Sequence, residues 1–219
     1  MKTAFPARRN APTLELFFAG WGMDARPFAR AAQSPRMRGC DFALCYDYSD
    51  TDFSLPDLSG YAQVRVRAWS LGVYAAAVAL AGTRLPVERA VAVNGTLYPV
   101  DDELGIPVAV YDATLRGLEG DAALSVVERF TRRMCGPYLE DFAAQRPARS
   151  VDSLRDELAA VRAHAASRRG PLFTAWDLAV LSRRGKIFPI DNMRRAWAGT
   201  PIAVLDGPHY LPDLPFAGD

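Results

Sequence analysis

The sequence predicts an α/β fold, a mostly parallel central sheet with helices on both faces and a helical insertion, in a single domain over residues 1–219. Three observations predict it. Short apolar runs alternate with helical stretches through the N-terminal half, which is the pattern of strands joined by crossover helices. From Ala113 to about Gly170 the periodicity is helical, with many arginines and no strand pattern. Beyond that the alternation resumes. Apolar residues make up 50% of the 219 positions, enough for one sizeable core with room for an insertion.

The first element is the run Leu14 to Phe18, which ends in Ala19-Gly20-Trp21-Gly22. A short helical stretch around Phe28 to Ala32 leads to a second strand, Phe42 to Tyr46. The third, Gln63 to Trp69, runs into Ser70-Leu71-Gly72 and an alanine-rich helix, Val73 to Leu80. Arg89 to Val93 is the fourth and stops at Asn94-Gly95. The insertion contains helical segments at Val126 to Arg133 and Val151 to Arg169 and reads as a lid. Ala175 to Leu181 is the next strand, followed by a helix from Ile190 to Trp197 opened by Pro189 and a last strand, Ile202 to Leu205. One pattern conflicts with a buried strand. Arg65 and Arg67 alternate with Val64 and Val66, so their guanidinium groups require acidic partners or an exposed face.

Charge narrows the function classes. With 26 Lys and Arg against 25 Asp and Glu, the chain has no field suited to nucleic acid as a main partner. The longest apolar stretch, Val73 to Ala81, is far short of the roughly 20 residues that a bilayer core demands. No secretory signal pattern follows the basic residues Lys2, Arg8 and Arg9. Three cysteines (Cys40, Cys45, Cys135) without paired metal spacing argue against a disulfide framework and a structural zinc, so a cytoplasmic location without metal or cofactor is expected.

The chemistry starts at Ala68-Trp69-Ser70-Leu71-Gly72. An α/β-hydrolase-like fold places a nucleophilic serine on a sharp strand-to-helix turn, with small residues two before and two after it so that the chain can pass. Ser70 meets that demand; the competing reading is a serine that N-caps a buried helix. An activated serine needs an imidazole, and the chain has two histidines. His164 falls in the arginine-rich helical segment, where a solvated position is expected. His209 follows the last strand in a Gly-Pro loop, the place of the base in this fold. For the oxyanion, Leu71 offers its N–H by position, and Trp21, in the glycine turn after the first strand, offers a second.

Several motifs together resemble a known family: Phe18-Ala-Gly-Trp-Gly22, Cys45-Tyr-Asp-Tyr48, Ala68-Trp-Ser-Leu-Gly72, Asn94-Gly-Thr96 with Gly105-Ile-Pro107, Arg132-Arg-Met-Cys-Gly136, Lys186-Ile-Phe188 and His209-Tyr210. In this order, over nearly the whole chain, they resemble the BioG-type pimeloyl-carrier-protein methyl ester esterases of biotin synthesis. The resemblance implies a serine esterase that frees the far carboxylate of a pimeloyl chain still attached to acyl carrier protein. By position it implies Ser70 as nucleophile, His209 as base, and Trp21 and Leu71 as oxyanion donors. Acyl carrier proteins are acidic, and Arg132, Arg133, Arg155 and Arg162 are expected to form a basic docking face. A solvated helix is the competing reading there, because Asp152, Asp156 and Glu157 share the segment.

Two departures from the family pattern stand out. The triad acid is expected just before Lys186, but that position is Gly185. Asp191 is the nearest substitute in sequence, with Asp101, Asp102 and Asp206 as alternatives. Only ten residues follow His209, so a closing helix is expected to be missing or very short, with less packing behind the base. Alternatives in function are an esterase or thioesterase on another acyl group, and a hydrolase-like binding protein of reduced activity.

Overall fold

The structure, a computed structural model, describes residues 1–218. Seven strands form one sheet: β1 (Lys2–Ala7), β2 (Thr13–Phe18), β3 (Cys40–Tyr46), β4 (Gln63–Trp69), β5 (Val87–Val93), β6 (Leu178–Ser182) and β7 (Ile202–Leu205), in the spatial order β1-β3-β2-β4-β5-β6-β7. Every neighbouring pair is parallel except β1 and β3.

Strand β1 is absent from the sequence-based expectation, and its physics explains why. It lies at the sheet edge, is nowhere fully buried, and carries Pro6 beside a register shift between Ala4 and Ala7. Proline donates no ladder hydrogen bond and is tolerated at such an edge, but it hides the strand from pattern reading.

The central strands pack on both faces. Leu14, Leu16, Val64, Val66 and Ala92 face one apolar layer with Tyr74 of helix α2 and with Leu80, the residue that caps it. Phe17, Phe42, Trp69, Val91 and Val180 face the other. Here α1 spans Ala29–Ala32 and α2 spans Leu71–Ala79. The arginines of β4 find acids on the adjacent strands: Arg67 pairs with buried Glu15 of β2 at 2.5 Å, and Arg65 bridges Glu15 at 3.3 Å and Glu88 of β5 at 3.0 Å.

Between β5 and β6 lie four helices: α3 (Val108–Gly117), α4 (Ala123–Cys135), α5 (Leu139–Ala143) and α6 (Val151–Ser167). The helical segment thus starts at Val108 rather than Ala113, directly after Pro107, whose fixed φ suits a helix start. Helix α7 (Ile190–Ala196) separates β6 from β7. Among the described residues no helix is long and apolar enough to cross a membrane.

Candidate active site

The parallel strands β2, β4, β5 and β6 all end on one side of the sheet, and the loops after them converge there. Ser70 sits between β4 and α2 with φ 58° and ψ −126°, a left-handed-side conformation that an L side chain rarely adopts. Strain of this kind costs on the order of 1–3 kcal/mol and persists only where the surroundings enforce it. They do so here. The Ser70 N–H donates to the Val93 carbonyl at 2.9 Å. A Cβ on Gly72 would lie 2.4 Å from the carbonyl oxygens of Phe18 and Ala19, and one on Gly95 would lie 2.2 Å from the Ser70 carbonyl oxygen. The Ser70 side chain does not cap α2, which disposes of the N-cap reading.

His209 is 1% exposed, and its Nε2 lies within hydrogen-bond distance of the Ser70 hydroxyl, at 2.8 Å. Its loop is firmly held. The His209 carbonyl accepts from Trp69 Nε1 at 3.0 Å and from Asn94 Nδ2 at 2.9 Å. Next to it, the Tyr210 N–H donates to the Met134 carbonyl at 2.9 Å. The imidazole lies parallel to the Phe188 ring, with centroids 6.2 Å apart. Among the described residues beyond it lies a three-residue 3-10 turn, Leu214–Phe216, and all three residues are buried. The expected loss of packing behind the base therefore does not occur. Burial lowers the His209 pKa to about 3, so the ring is neutral at ordinary pH.

The triad acid requires a correction. Asp191 is exposed in the first turn of α7, where its carboxylate accepts from Arg194 at 3.2 Å. Asp206 pairs with Arg184 at 3.1 Å, Asp101 accepts from the N–H groups of Glu103 and Leu104, and Asp102 accepts from that of Val108. His209 Nδ1 is buried and has no hydrogen-bond partner among the described residues. A Cβ on Gly185 would lie 3.9 Å from His209 Cα, so the position where the acid was expected adjoins the His209 backbone and carries no side chain.

Trp21, Ser70 and Leu71 share the wall of one cavity. Leu71 opens α2, where a first-turn N–H has no intrahelical acceptor. A Cβ on Gly20 would meet Ser70 Cβ at 3.1 Å, which shows how closely the Trp21 loop approaches the elbow. The remaining walls are mostly apolar, formed by Ile106, Val110, Tyr111, Phe130, Leu158 and Ile187, with Arg133 and Lys186 as the cationic members.

Of the four arginines expected on a docking face, Arg133 lines this cavity. The others lie beside carboxylates at the surface. Arg155 pairs with Asp152 and Asp156, Arg162 pairs with Asp112, and Arg132 lies 3.9 Å from Glu128. Arg129 lines an adjoining groove between α3 and α4 that shares Val110, Thr114, Phe130 and Arg133 with the cavity. His164 is half-buried rather than solvated, with Nδ1 2.7 Å from the Tyr74 hydroxyl.

Glu157, expected among the acids of a solvated helix, has no open face. It is fully buried on α6, where Arg149 pairs with it at 2.8 Å. Its spacing from Leu154 and Val161, three and four residues, places it on the apolar stripe of the helix, a signal available in the sequence.

The family model for "Pimeloyl-ACP methyl esterase BioG" matches residues 1–215. A curated malonyl-[acyl-carrier protein] O-methyltransferase of Bacteroides fragilis is 38% identical over 209 residues; the match covers 94% of this chain and 40% of that relative's length. An uncharacterized protein of Haemophilus influenzae is 36% identical over 213 residues, covering 96% and 94% of the two chains. The crystal structure of Haemophilus influenzae BioG superposes with a TM-score of 0.83 at 35% identity, covering 97% of this chain and 95% of that one. The enol-lactonase of Burkholderia xenovorans shares the fold alone, at a TM-score of 0.64 and 13% identity, covering 95% and 88%. With a strained serine elbow, an adjoining imidazole and a family match over nearly its whole length, the chain belongs to the BioG family of α/β-hydrolases.

Proposed function

We propose that this enzyme hydrolyses the methyl ester of a pimeloyl chain carried on acyl carrier protein, releasing methanol and the free carboxylate in biotin synthesis. The observation that carries the chemistry is the 2.8 Å contact from Ser70 Oγ to Nε2 of a neutral, buried His209. His209 takes the Ser70 proton as Oγ attacks the ester carbonyl. The N–H groups of Leu71 and Trp21 receive the developing oxyanion, a contribution of roughly 3–4 kcal/mol per donor in serine hydrolases. The imidazolium then protonates the departing methanol, and water activated by the same ring releases the acid from Ser70.

The surroundings support this substrate. A cavity with mostly apolar walls suits a methylene chain, while Arg133 and Lys186 in its wall and Arg129 in the adjoining groove suit an acidic carrier. Incubation with methyl pimeloyl carrier protein should yield methanol and the free acid, and Ser70→Ala should lower kcat by about 10⁴-fold or more. Equal turnover by the variant, or release of carrier thiol in place of methanol, rules the reading out.

A further inference from the structure

Glu157 belongs to the helical insertion, yet its carboxylate reaches the two loops that approach the serine elbow. Oε2 accepts from the Gly22 N–H at 3.1 Å, and Oε1 accepts from the Tyr48 N–H at 3.2 Å. Gly22 directly follows Trp21, so the first contact fixes the peptide next to the candidate oxyanion donor. Trp21 itself is tied to the same helix, its Nε1 donating to the Leu154 carbonyl at 2.9 Å. Tyr48 completes the frame, with its hydroxyl donating to the Ala19 carbonyl at 2.6 Å, on the loop that leads to Trp21. Behind the carboxylate, Arg149 pairs with both Glu157 and Asp47 and also donates to the Met23 carbonyl at 3.3 Å.

An ionised carboxylate is acceptor-only and so satisfies both N–H donors and the guanidinium together. Protonation at one oxygen adds an O–H donor to a site already crowded with donors and removes the charge, so the contacts to the two N–H groups and the guanidinium weaken.

We propose that Glu157 is a positioning residue whose ionised form holds the Gly20–Gly22 loop so that the Trp21 N–H is aimed at the oxyanion. The inference rests on the esterase reading above for its oxyanion, although not on the identity of the acyl group.

The charged and titratable groups around Glu157 are Arg149, Asp47 with its partner Lys2, and the buried phenols of Tyr48 and Tyr111. Burial raises both phenols, which stay neutral, and Asp47 is held below the usual carboxylate range by Lys2, Ser49 and Arg149 against the opposing effect of burial. Burial pushes Glu157 itself up to about 7, with Arg149 and the two N–H donors opposing. His209 titrates far below this.

A fluorophosphonate probe tests the idea, because its reaction uses Ser70, His209 and the oxyanion donors but no carrier protein. In the wild type the labelling rate of Ser70 should rise about tenfold from pH 6 to pH 8, with a midpoint near 7. Glu157→Gln should label at least about tenfold more slowly at pH 8 and lose that rise, while its circular dichroism stays native. A merely structural role leaves the pH dependence intact. A flat wild-type profile between pH 6 and 8, no labelling at all, or a variant with wild-type rate and profile overturns the proposal. Because the wild-type profile needs no variant, the proposal remains falsifiable if Glu157→Gln does not fold. Intact labelling without hydrolysis of methyl pimeloyl carrier protein defeats the substrate assignment alone.

Discussion

His209 has lost the group that ordinarily orients it, and packing has taken over that task. Phe188 lies parallel to its ring, and Trp69 and Asn94 bind its carbonyl, but nothing among the described residues accepts a hydrogen bond from Nδ1. In the mechanism proposed above, the imidazolium formed during attack has no adjacent anion among the described residues, and loss of that anion costs about 10⁴ in kcat in a complete triad. Gly185→Asp should recover part of this. Its Cβ would lie 3.9 Å from His209 Cα and 3.1 Å from the Ser182 carbonyl oxygen, so a small backbone adjustment admits the side chain. The expected outcome is a rise in kcat of about tenfold or more with little change in KM, measured on the carrier-bound ester. A folded variant with unchanged kcat would show that the dyad is complete in itself. Ser70 and His209 were legible in the sequence because each is marked by its own few neighbours. The fate of the acid was legible only as an absence at Gly185, since Asp191 is near in sequence but its carboxylate is turned to solvent and Arg194.

At the scale of elements, the elbow is a meeting of three strand ends, and glycines make the meeting possible. Gly95 after β5 leaves its space to the Ser70 carbonyl, and Trp197 Nε1 donates to the Gly95 carbonyl at 2.9 Å. Gly95→Ala places a carbon 2.2 Å from that oxygen, so the β5 end or the elbow must move. Overpacking of this severity costs about 1–3 kcal/mol or more. Urea unfolding should therefore show a lower midpoint at unchanged m-value, together with a loss of Ser70 labelling; a wild-type midpoint and labelling rate would contradict the account. Strands β2 to β7 could be read in advance because they are apolar runs bounded by turn residues. Edge strand β1, with Pro6 and half-exposed side chains, lacks that contrast. Helices α4 and α6 of the insertion were legible as periodicity, but the contacts of the insertion with the loops at the elbow were not, because those contacts pair residues more than a hundred positions apart, as Gly22 with Glu157.

For the whole molecule, Glu157 sets stability and activity against each other. Its pKa is raised on folding, so the protonated form is favoured in the native state: the associated stability is fully present below the unfolded carboxylate pKa, near 4.5, and is lost as pH rises through about 7. A shift of this size is worth on the order of 3 kcal/mol. Asp47 acts in the opposite sense, contributing stability that is lost only as pH falls below the ordinary carboxylate range, so it does not mask the window between 4.5 and 7. Wild type should therefore lose stability relative to Glu157→Gln as pH rises from 5 to 7.5, read as a growing gap between their urea midpoints. A gap independent of pH in that window would show that Glu157 does not change charge there. If the gap opens over the same pH range in which Ser70 labelling accelerates, one titration accounts for both effects: the fold is most stable with Glu157 neutral, and the oxyanion loop is set only when burial of its charge has been borne by the whole chain.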